Sequence, residues 1–393
     1  MGRRPLTPTL IPLRGESWSP KARVRVSGHN KVCSMLRRAM TLVVALVLLV
    51  GLGIGSLFLP MPYLVASPGA IVNTVGDLQG EPVITIEGTE SYEHDDGTLS
   101  MVTVQYSGGP EHRLNLFTVV TAWLSPNDAV MPEELLFPAD RTPEEVSERQ
   151  TLQMNDSQTD ATAAALNELD ITYEAVPVVA DAVEGMPAEG LVEPGDVVLS
   201  VDGQEVPVDA GGGKEGEVGS AAVVEMVGAR EPGDPVELLL DRDGETVEVE
   251  VPSEEGDQGT AAVGVLIADD TDFPIDVDIS VGDIGGPSAG LMFALGIMDR
   301  LSQESVTGGA QVAGSGTITS AGEVGGVSGI PQKMVSAQRA GAEYFFVAAE
   351  SCSQVSQSAA YGELEVVSVE TLTDAVEALE TIEAGGQDLP RCE

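Results

Sequence analysis

Residues 283–291 read DIGGPSAGL, and this stretch decides the fold. Its centre, GPSAG, matches the G-x-S-x-G motif, which presents a nucleophilic serine on a sharp turn between a strand and a helix. In α/β-hydrolases an acid and then a histidine follow that serine along the chain. The three histidines here are His29, His94 and His112, so none follows Ser288. The sequence therefore excludes that triad, and Ser288 needs another base.

A lysine is the remaining candidate for that base. Beyond residue 59 the sequence contains only Lys214 and Lys333. Lys214 lies in the polar, glycine-rich loop GGGKEG, where its amine would stay protonated. Lys333 begins the stretch KMVSAQRAG, which predicts a helix that ends at Gly341, because a glycine commonly follows the last helical residue. Lys333 is therefore the candidate base.

A second helix is predicted from Ser288 to about Leu301, with an apolar stripe on its buried side. The stripe consists of Leu291, Leu295 and Met298. The first N–H groups of a helix have no intrahelical partner, so they can stabilise an oxyanion. The supporting residues that would let a substrate approach this backbone are Gly286, Pro287 and Gly290.

A lysine that acts as a base must be neutral, although an ordinary lysine has a pKa of about 10.4. The acidic composition of the chain would raise that pKa further, so only desolvation in a tight apolar site could lower it. We therefore predict that Lys333 is buried and that no carboxylate contacts it.

The motifs around Ser288 and Lys333 together resemble the proteolytic domain of Lon-type peptidases. They are DIGGPSAGL at 283–291, GSGTI at 314–318, GEVGGV at 322–327 and GIPQK at 329–333. The resemblance implies a Ser288–Lys333 dyad with a hydroxyl near the lysine, where Ser315 stands in place of the usual threonine. Lon enzymes usually carry an aspartate three residues before the nucleophile, whereas Gly285 occupies that place here. Since Lon-type domains often form rings, the resemblance also implies a homo-oligomeric ring.

Residues 171–256 form a separate block of short apolar runs and turns. The stretch GMPAEGLVEPGD at 185–196 leads into an apolar strand at 197–201, and a helix is predicted at about 218–229. This block resembles a PDZ domain of the kind found with bacterial proteases. PDZ domains bind chain termini by adding a peptide strand to a sheet edge. The resemblance implies such binding, and the alternative is a PDZ-like spacer without a ligand.

The segments on either side of this block predict a mixed α/β, multi-domain chain. Residues 61–170 form a β-rich segment that ends in a helix at 143–168, with Thr142 as its N-cap. Residues 257–385 alternate strands, glycine turns and helices, and residues 386–393 form a tail. The helix faintly resembles one from the first half of the Lon-type domain, which implies that the PDZ-like block is inserted into that domain.

Residues 41–59 read TLVVALVLLVGLGIGSLFL, which is nineteen residues without a charge. A helix needs about 20 apolar residues to cross a bilayer, so a transmembrane helix is predicted within 39–60. Arg37 and Arg38 precede it, and such basic residues stay in the cytoplasm. The basic arm at 1–38 is therefore predicted to be cytoplasmic, and the C-terminal domains extracytoplasmic, in a single-pass protein of the cell membrane. The alternative is a cleaved signal peptide.

Charge and cysteine content exclude other classes of function. Residues 1–38 contain nine basic residues and one acid, whereas the rest contains ten basic residues and 62 acids, for a net charge of −44. Such an acidic body repels nucleic acid, so nucleic-acid binding is not expected. No histidines or cysteines have the spacing of a metal site, so no metal or other cofactor is expected. Cys352 and Cys392 either form a disulfide outside the cytoplasm or remain free thiols.

Three functions fit these features. The first is an ATP-independent serine endopeptidase that cleaves unfolded or C-terminally exposed extracytoplasmic proteins at the membrane. No Walker A motif is present, so ATP-driven unfolding is not expected. The second is a non-catalytic PDZ scaffold that binds protein termini. The third is a chain that cleaves only itself.

Overall fold

The structure is a computed structural model that describes residues 29–138 (backbone alone for 29–34), 141–211, 218–256, 259–282, 284–386 and 388–392. The basic arm up to residue 28, Lys214 and Asp283 lie outside the described residues. The chain divides into two compact units, Met1–Leu59 and Pro60–Glu393.

The first unit contains the helix α1 (His29–Ser56). Its apolar part, Met35–Ser56, has 22 residues with a mean hydropathy of 2.4. This is long and apolar enough to cross a membrane, although a signal sequence meets the same description. The helix ends at Ser56 and does not reach residue 60 as predicted. Pro60 lacks an N–H group and disfavours helical geometry in the residue before it, so the helix cannot continue through this point.

The second unit begins with a β-rich segment and a long helix. Its strands are β1 (Pro60–Met61), β2 (Tyr63–Asn73), β3 (Asp77–Leu78), β4 (Glu81–Pro82), β5 (Ile84–Glu87), β6 (Thr98–Ser107), β7 (Leu114–Asn115) and β8 (Ala129–Pro132). Its helices are α2 (Leu116–Trp123), a 3-10 turn (Glu133–Leu135) and α3 (Pro143–Glu168). α3 has the bounds that the sequence predicts. The Thr142 hydroxyl accepts from the Glu145 N–H at 3.2 Å, and the Glu145 carboxylate accepts from the Thr142 N–H at 2.7 Å, which fixes the helix start.

The next hundred residues form a central module, Tyr173–Asp272. Its strands are β9 (Tyr173–Ala182), β10 (Val197–Val201), β11 (Gln204–Glu205), β12 (Asp209–Ala210), β13 (Pro235–Arg242), β14 (Glu245–Pro252), β15 (Glu254–Glu255), β16 (Ala261–Ala262) and β17 (Val265–Asp272). They form a sheet in the order β12-β9-β10-β13-β14, with β11 on β10 and β17 on β9, while β15 and β16 pair separately. The helix α4 (Gly219–Gly228) packs over this sheet around a core of Val179, Val198, Val223 and Leu238.

Strand β17 lies beyond residue 256, where the sequence analysis ends the PDZ-like block. It pairs antiparallel with β9 from Val265 opposite Ala182 to Asp272 opposite Glu174. The opposite edge of β9 pairs with β10 and β12, so both edges are occupied. The module therefore extends to Asp272, because the sheet takes in this later strand. Among the described strands, β17 pairs only with β9 and β14 only with β13, so each of them leaves an outer edge without a strand partner.

The chain then returns to the fold that it left at α3. The remaining strands are β18 (Asp276–Ile279), β19 (Gln311–Ser315), β20 (Thr317–Ile318), β21 (Val324–Gly325), β22 (Tyr344–Ala348) and β23 (Glu365–Val369). The remaining helices are α5 (Gly290–Leu301), α6 (Ile330–Ala340), α7 (Cys352–Val355) and α8 (Leu372–Glu383), with a 3-10 turn at Ala349–Ser351. A six-stranded mixed sheet runs β23-β22-β19-β6-β2-β8. Half of its strands precede the module and half follow it, so residues 60–170 and 276–392 form one flanking unit.

The core of this flanking unit surrounds α5. The predicted stripe of Leu291, Leu295 and Met298 is buried, and so is every other residue from Gly290 to Arg300. The helix is covered on all sides because it packs against α3, α8 and the strands β6 and β19. Gly296 allows this close packing, since an added Cβ would lie 2.8 Å from side-chain atoms of both Ile84 and Thr74.

The C-terminal segment is fastened to the same unit. Cys352 and Cys392 form a disulfide, with their Cα atoms 5.2 Å apart. The Ser368 N–H of β23 also donates to the Pro390 carbonyl at 2.9 Å. The predicted tail is therefore packed along the edge of the main sheet.

Candidate active site

Two residues of α3 hold the turn that carries Ser288. The Gly286 N–H donates to the Gln150 carbonyl at 3.1 Å, and the buried Ser157 hydroxyl donates to the Pro287 carbonyl at 3.2 Å. Gly286 has a φ of +96°, in the left-handed region that favours glycine. The turn before the serine is therefore fixed by a helix that lies on the other side of the module in the sequence.

The main sheet holds the serine from the other side. The Ser288 carbonyl accepts from the Gly316 N–H at 3.2 Å and from the Ser315 hydroxyl at 2.9 Å. Ser315 is the last residue of β19 and is fully buried. The backbone of Ser288 is thus fixed between α3 and the end of a central strand.

These bonds also explain why α5 begins at Gly290, two residues after the predicted start at Ser288. A carbonyl in the first turn of a helix accepts from an N–H four residues later. The Ser288 carbonyl already has two other donors, so Ser288 lies in the turn before the helix. It is half-buried and lines a cleft, beside the first N–H groups of α5. The first two of these N–H groups have acceptors within the fold, since Gly290 donates to the Pro287 carbonyl at 3.5 Å and Leu291 to the Gly316 carbonyl at 3.3 Å, so the predicted use of the helix start for an oxyanion is not observed there.

Lys333 lies in the first turn of α6. Gly329 caps this helix with a φ of +79°, and a Cβ there would lie 2.5 Å from Val104, so glycine lets the helix start close to β6. The helix ends before Gly341, which has a φ of +86°, as the sequence predicts. The lysine Nζ lies 2.9 Å from the Ser288 Oγ and 2.8 Å from the Ser315 Oγ. The structure therefore brings together three residues that the sequence singles out.

The electrostatic environment of Lys333 favours a neutral amine. Its side chain is 3% exposed, and desolvation lowers its pKa from about 10.5 to about 8. The described residues that line the cleft include no aspartate or glutamate. The burial predicted for Lys333 is observed, and above pH 8 its amine can accept a proton from the adjacent serine hydroxyl.

Ser288 and Lys333 open onto a cleft of about 360 Å³. Its apolar wall residues include Met101, Val104, Tyr106, Leu136, Met154, Ile284 and Val327. Gly286 and Pro287 also line the cleft, whereas Gly290 does not. An added Cβ on Gly290 would lie 2.8 Å from both Ile318 and Ser157, so this glycine permits close packing of α5. The two residues before the serine could border a substrate, and Gly290 supports the helix behind it.

A second cavity, of about 600 Å³, lies between α3 and the central module. Asp156 and Asp160 of α3 line it together with Asp269 of β17. Burial and then the charges of Asp156 and Asp269 raise the pKa of Asp160 to about 6. Within the described part of the chain, no group of three or more metal-ligating side chains could hold an ion.

The sequence analysis missed Gln150 and Ser157, which position the serine turn. The available signal was spacing, because Gln150, Met154 and Ser157 recur at four and three residues on one face of α3. That face contacts a turn 130 residues away from Ser157, and a single sequence does not reveal such a contact. Gly285 packs there as well, with an added Cβ only 3.2 Å from the Gln150 side chain.

Comparisons with known proteins found one family match and several similar solved structures. Residues 267–381 match the family described as "Lon protease (S16) C-terminal proteolytic domain". The chain is also similar in structure to the PDZ domain of an SdrC-like protein from Listeria innocua, at 21% identity over 24% of this chain and 93% of that one, with a TM-score of 0.20. The corresponding domain from Listeria monocytogenes gives 18% identity over 25% of this chain and 90% of that one, with a TM-score of 0.20. No curated protein matches the chain.

A domain from Geobacillus thermodenitrificans is also similar, at 25% identity over 23% of this chain and 93% of that one, with a TM-score of 0.18. The chain thus has a mixed α/β fold with a Lon-type proteolytic segment, PDZ-like structural neighbours and an N-terminal apolar helix. The family match supports a serine peptidase.

Proposed function

We propose that this chain is an ATP-independent serine endopeptidase in which Ser288 is the nucleophile and Lys333 the general base. It is held in the membrane by α1 and cleaves unfolded or C-terminally exposed proteins on the extracytoplasmic side. The observation that carries the proposal is the 2.9 Å contact between the Lys333 Nζ and the Ser288 Oγ, at a lysine whose pKa is lowered to about 8.

The catalytic steps follow from this contact. The neutral Lys333 amine takes the proton of the Ser288 hydroxyl as its Oγ attacks the carbonyl carbon of the substrate. Backbone N–H groups beside Ser288 are proposed to stabilise the negative oxygen of the resulting intermediate. The Lys333 ammonium then gives its proton to the leaving amine. Water attacks the acyl-enzyme with the same lysine as base, which restores both residues.

Ser315 is proposed as a positioning residue. Its hydroxyl accepts from the Lys333 amine at 2.8 Å and donates to the Ser288 carbonyl at 2.9 Å. One buried side chain therefore sets the position of the base relative to the backbone of the nucleophile. Residues 61–170 are proposed as the first half of the peptidase domain. Their strands β6, β2 and β8 belong to the same sheet as β19, the strand that ends at Ser315.

Several features support the proposed setting. The uncharged stretch at 41–59 follows Arg37 and Arg38, which favours a cytoplasmic N-terminus. The Cys352–Cys392 disulfide is typical of an oxidising compartment outside the cytoplasm. The sequence has no Walker A motif, which favours substrates that need no unfolding. A ring of several copies stays a prediction from the resemblance.

A scaffold that only binds protein termini is less well supported. Peptide binding by strand addition needs a free sheet edge. Both edges of β9 are paired, and the Asp269 carboxylate of β17 accepts from the Ser220 N–H at 2.6 Å and from the Ser220 hydroxyl at 2.7 Å. A terminus could add to the outer edge of β17 or of β14, which have no strand partner among the described residues, but such binding would not account for the Ser288–Lys333 contact.

The test uses full-length protein in detergent, a fluorophosphonate serine probe and unfolded casein as substrate. We expect the wild type to be labelled and to cleave casein, and Ser288→Ala and Lys333→Ala to do neither. Ser302→Ala is the matched control at the other end of α5 and should behave as wild type. Labelling and cleavage that persist in both active-site variants would reject the proposal. Wild type that nicks itself but leaves casein intact would support the self-cleaving alternative.

A further inference from the structure

The helix α2 exposes an apolar face. Trp123 and Leu124 are 75% and 72% exposed, and Phe117 and Val120 on the same helix are also exposed. Only Val119 and Ala122 of α2 are buried. Residues 116–124 read LFTVVTAWL and contain no charge, in a chain with a net charge of −44. A continuous exposed apolar face of this kind marks a surface that contacts another apolar phase.

The position of α2 along the chain indicates which apolar phase its exposed face contacts. Pro60, which is bonded to Leu59 at the end of the first unit, pairs with Asn115 in the β1–β7 ladder. Asn115 is also the N-cap of α2, since its side chain accepts from the Thr118 N–H at 2.9 Å. The segment that continues from the apolar helix is therefore hydrogen-bonded to the start of α2.

A second exposed apolar residue lies close to the same segment. The Glu133 N–H donates to the Pro62 carbonyl at 3.2 Å, and the 3-10 turn that Glu133 begins carries Leu135, which is strongly exposed. The stretch 60–62 is therefore hydrogen-bonded to the start of two segments that carry exposed apolar residues, α2 and the 3-10 turn with Leu135.

The residue types on the face fit a lipid surface. Between residues 60 and 138 the only lysine or arginine is Arg113, and it is paired with the Glu133 carboxylate at 3.7 Å, so this pair adds no net charge. An uncharged, aromatic helix face is typical of segments that lie at the boundary of headgroups and acyl chains. Tryptophan prefers this boundary, because its ring is apolar while its N–H needs a polar partner.

We propose that the face formed by Phe117, Val120, Trp123 and Leu124 rests in the bilayer interface and holds the flanking unit against the membrane. This inference depends on the membrane anchor in the proposed function. The occupant is the boundary between the headgroups and acyl chains of the bilayer, and a second copy or another protein on this face would contradict it.

Tryptophan fluorescence tests the proposal, since the chain has only Trp18 and Trp123. Full-length Trp18→Phe protein is reconstituted into phosphatidylcholine vesicles with or without bromine at acyl carbons 6 and 7. An interfacial helix lies about 5–10 Å into the boundary, so we expect brominated lipid to quench about half of the Trp123 emission. Acrylamide in the buffer should quench it weakly.

The matched control moves the tryptophan to a distant exposed apolar position. In the Trp18→Phe, Trp123→Phe background, Leu191→Trp places it on the central module, where the native leucine is 38% exposed. We expect acrylamide to quench this residue and brominated lipid to leave it unchanged.

Flotation of the vesicles distinguishes a failure of this inference from a failure of the membrane anchor. Protein that floats with the vesicles while Trp123 is not quenched by bromine would overturn this inference and leave the anchor intact. A blue-shifted Trp123 without bromine quenching would place a protein on the face and would also overturn it. Protein that does not float would overturn the anchor and this inference together.

Discussion

The active-site cleft and the acidic cavity share α3 as a wall, and each contains an ionisable group whose pKa burial shifts towards the neutral form. In the cleft, burial lowers the pKa of Lys333 to about 8. In the acidic cavity, burial and the nearby carboxylates raise the pKa of Asp160 to about 6. Desolvation is the largest cause in both, because a low-dielectric site disfavours whichever form is charged.

The difference between the two cavities lies in the neighbours of the neutral group. The Lys333 amine contacts two hydroxyls, one of which is on a half-buried serine that lines the cleft. Asp160 is surrounded by Asp156 and Asp269, which add repulsion. A perturbed pKa alone therefore does not identify a catalytic group, whereas a perturbed pKa beside a nucleophile marks a candidate.

The largest expected effect comes from making the charge at position 333 permanent. Arginine cannot lose its proton in a protein, so Lys333→Arg should lower kcat/KM on casein peptides by about 10³-fold. Arg339→Lys is the matched control, because it exchanges the same two residue types on the exposed side of α6 and should leave kcat/KM unchanged. Comparable activity in Lys333→Arg would show that the lysine is not the base.

The pH dependence should show the titration of the same group. Lys333 accepts a proton only when neutral, so kcat/KM should rise about tenfold per pH unit below pH 8 and level off above it. The measurement is cleavage of a fluorogenic peptide between pH 6 and 9.5. Asp160→Asn should keep this profile, and a profile that is flat across the range would contradict a lysine base.

A smaller effect is expected at the positioning residue. Ser315→Ala removes the acceptor of the lysine amine and one donor to the Ser288 carbonyl, so kcat should fall about 10- to 100-fold while KM changes little. Ser315→Thr keeps the hydroxyl and should recover most of this loss. A threonine variant as slow as the alanine variant would mean that packing, rather than the hydroxyl, accounts for the effect.

The smallest effect concerns the acidic cavity and is one of stability. Asp160 binds its proton more tightly in the folded protein, so the stability it contributes is present below pH 4 and is lost as the pH rises through about 6. Asp160→Asn should therefore raise the unfolding free energy at pH 8 by about 1–2 kcal/mol, the pKa shift discounted for partial solvent access, and change it little at pH 4. Thermal unfolding by circular dichroism at both pH values checks this. Equal gains at both would show that the cost of Asp160 is not electrostatic.

The features that sequence predicted well are local ones. The bounds of α3 follow from a capping box and a proline at its start, and the end of α6 follows from Gly341. The pairing of Ser288 with Lys333 was predicted by elimination and by resemblance, because no histidine follows Ser288 and only one other lysine lies beyond the apolar segment.

The features that it missed depend on contacts between distant segments. The start of α5 moved from Ser288 to Gly290 because Gly316 and Ser315 bind the Ser288 carbonyl. The central module extends to Asp272, beyond the predicted boundary at residue 256, because β17 pairs with β9. Neither partner is encoded in the local pattern of the segment that it changes.

The sequence by itself determined the residues available for chemistry, since an inventory of side chains does not depend on how the chain folds. Only the tertiary structure decided the state of those side chains. The pKa of Lys333 falls because strands from both sides of the central module close around it, and the serine turn is rigid because Gln150 and Ser157 reach it from α3. Desolvation and hydrogen-bond geometry arise only when distant segments meet, so they are properties of the fold.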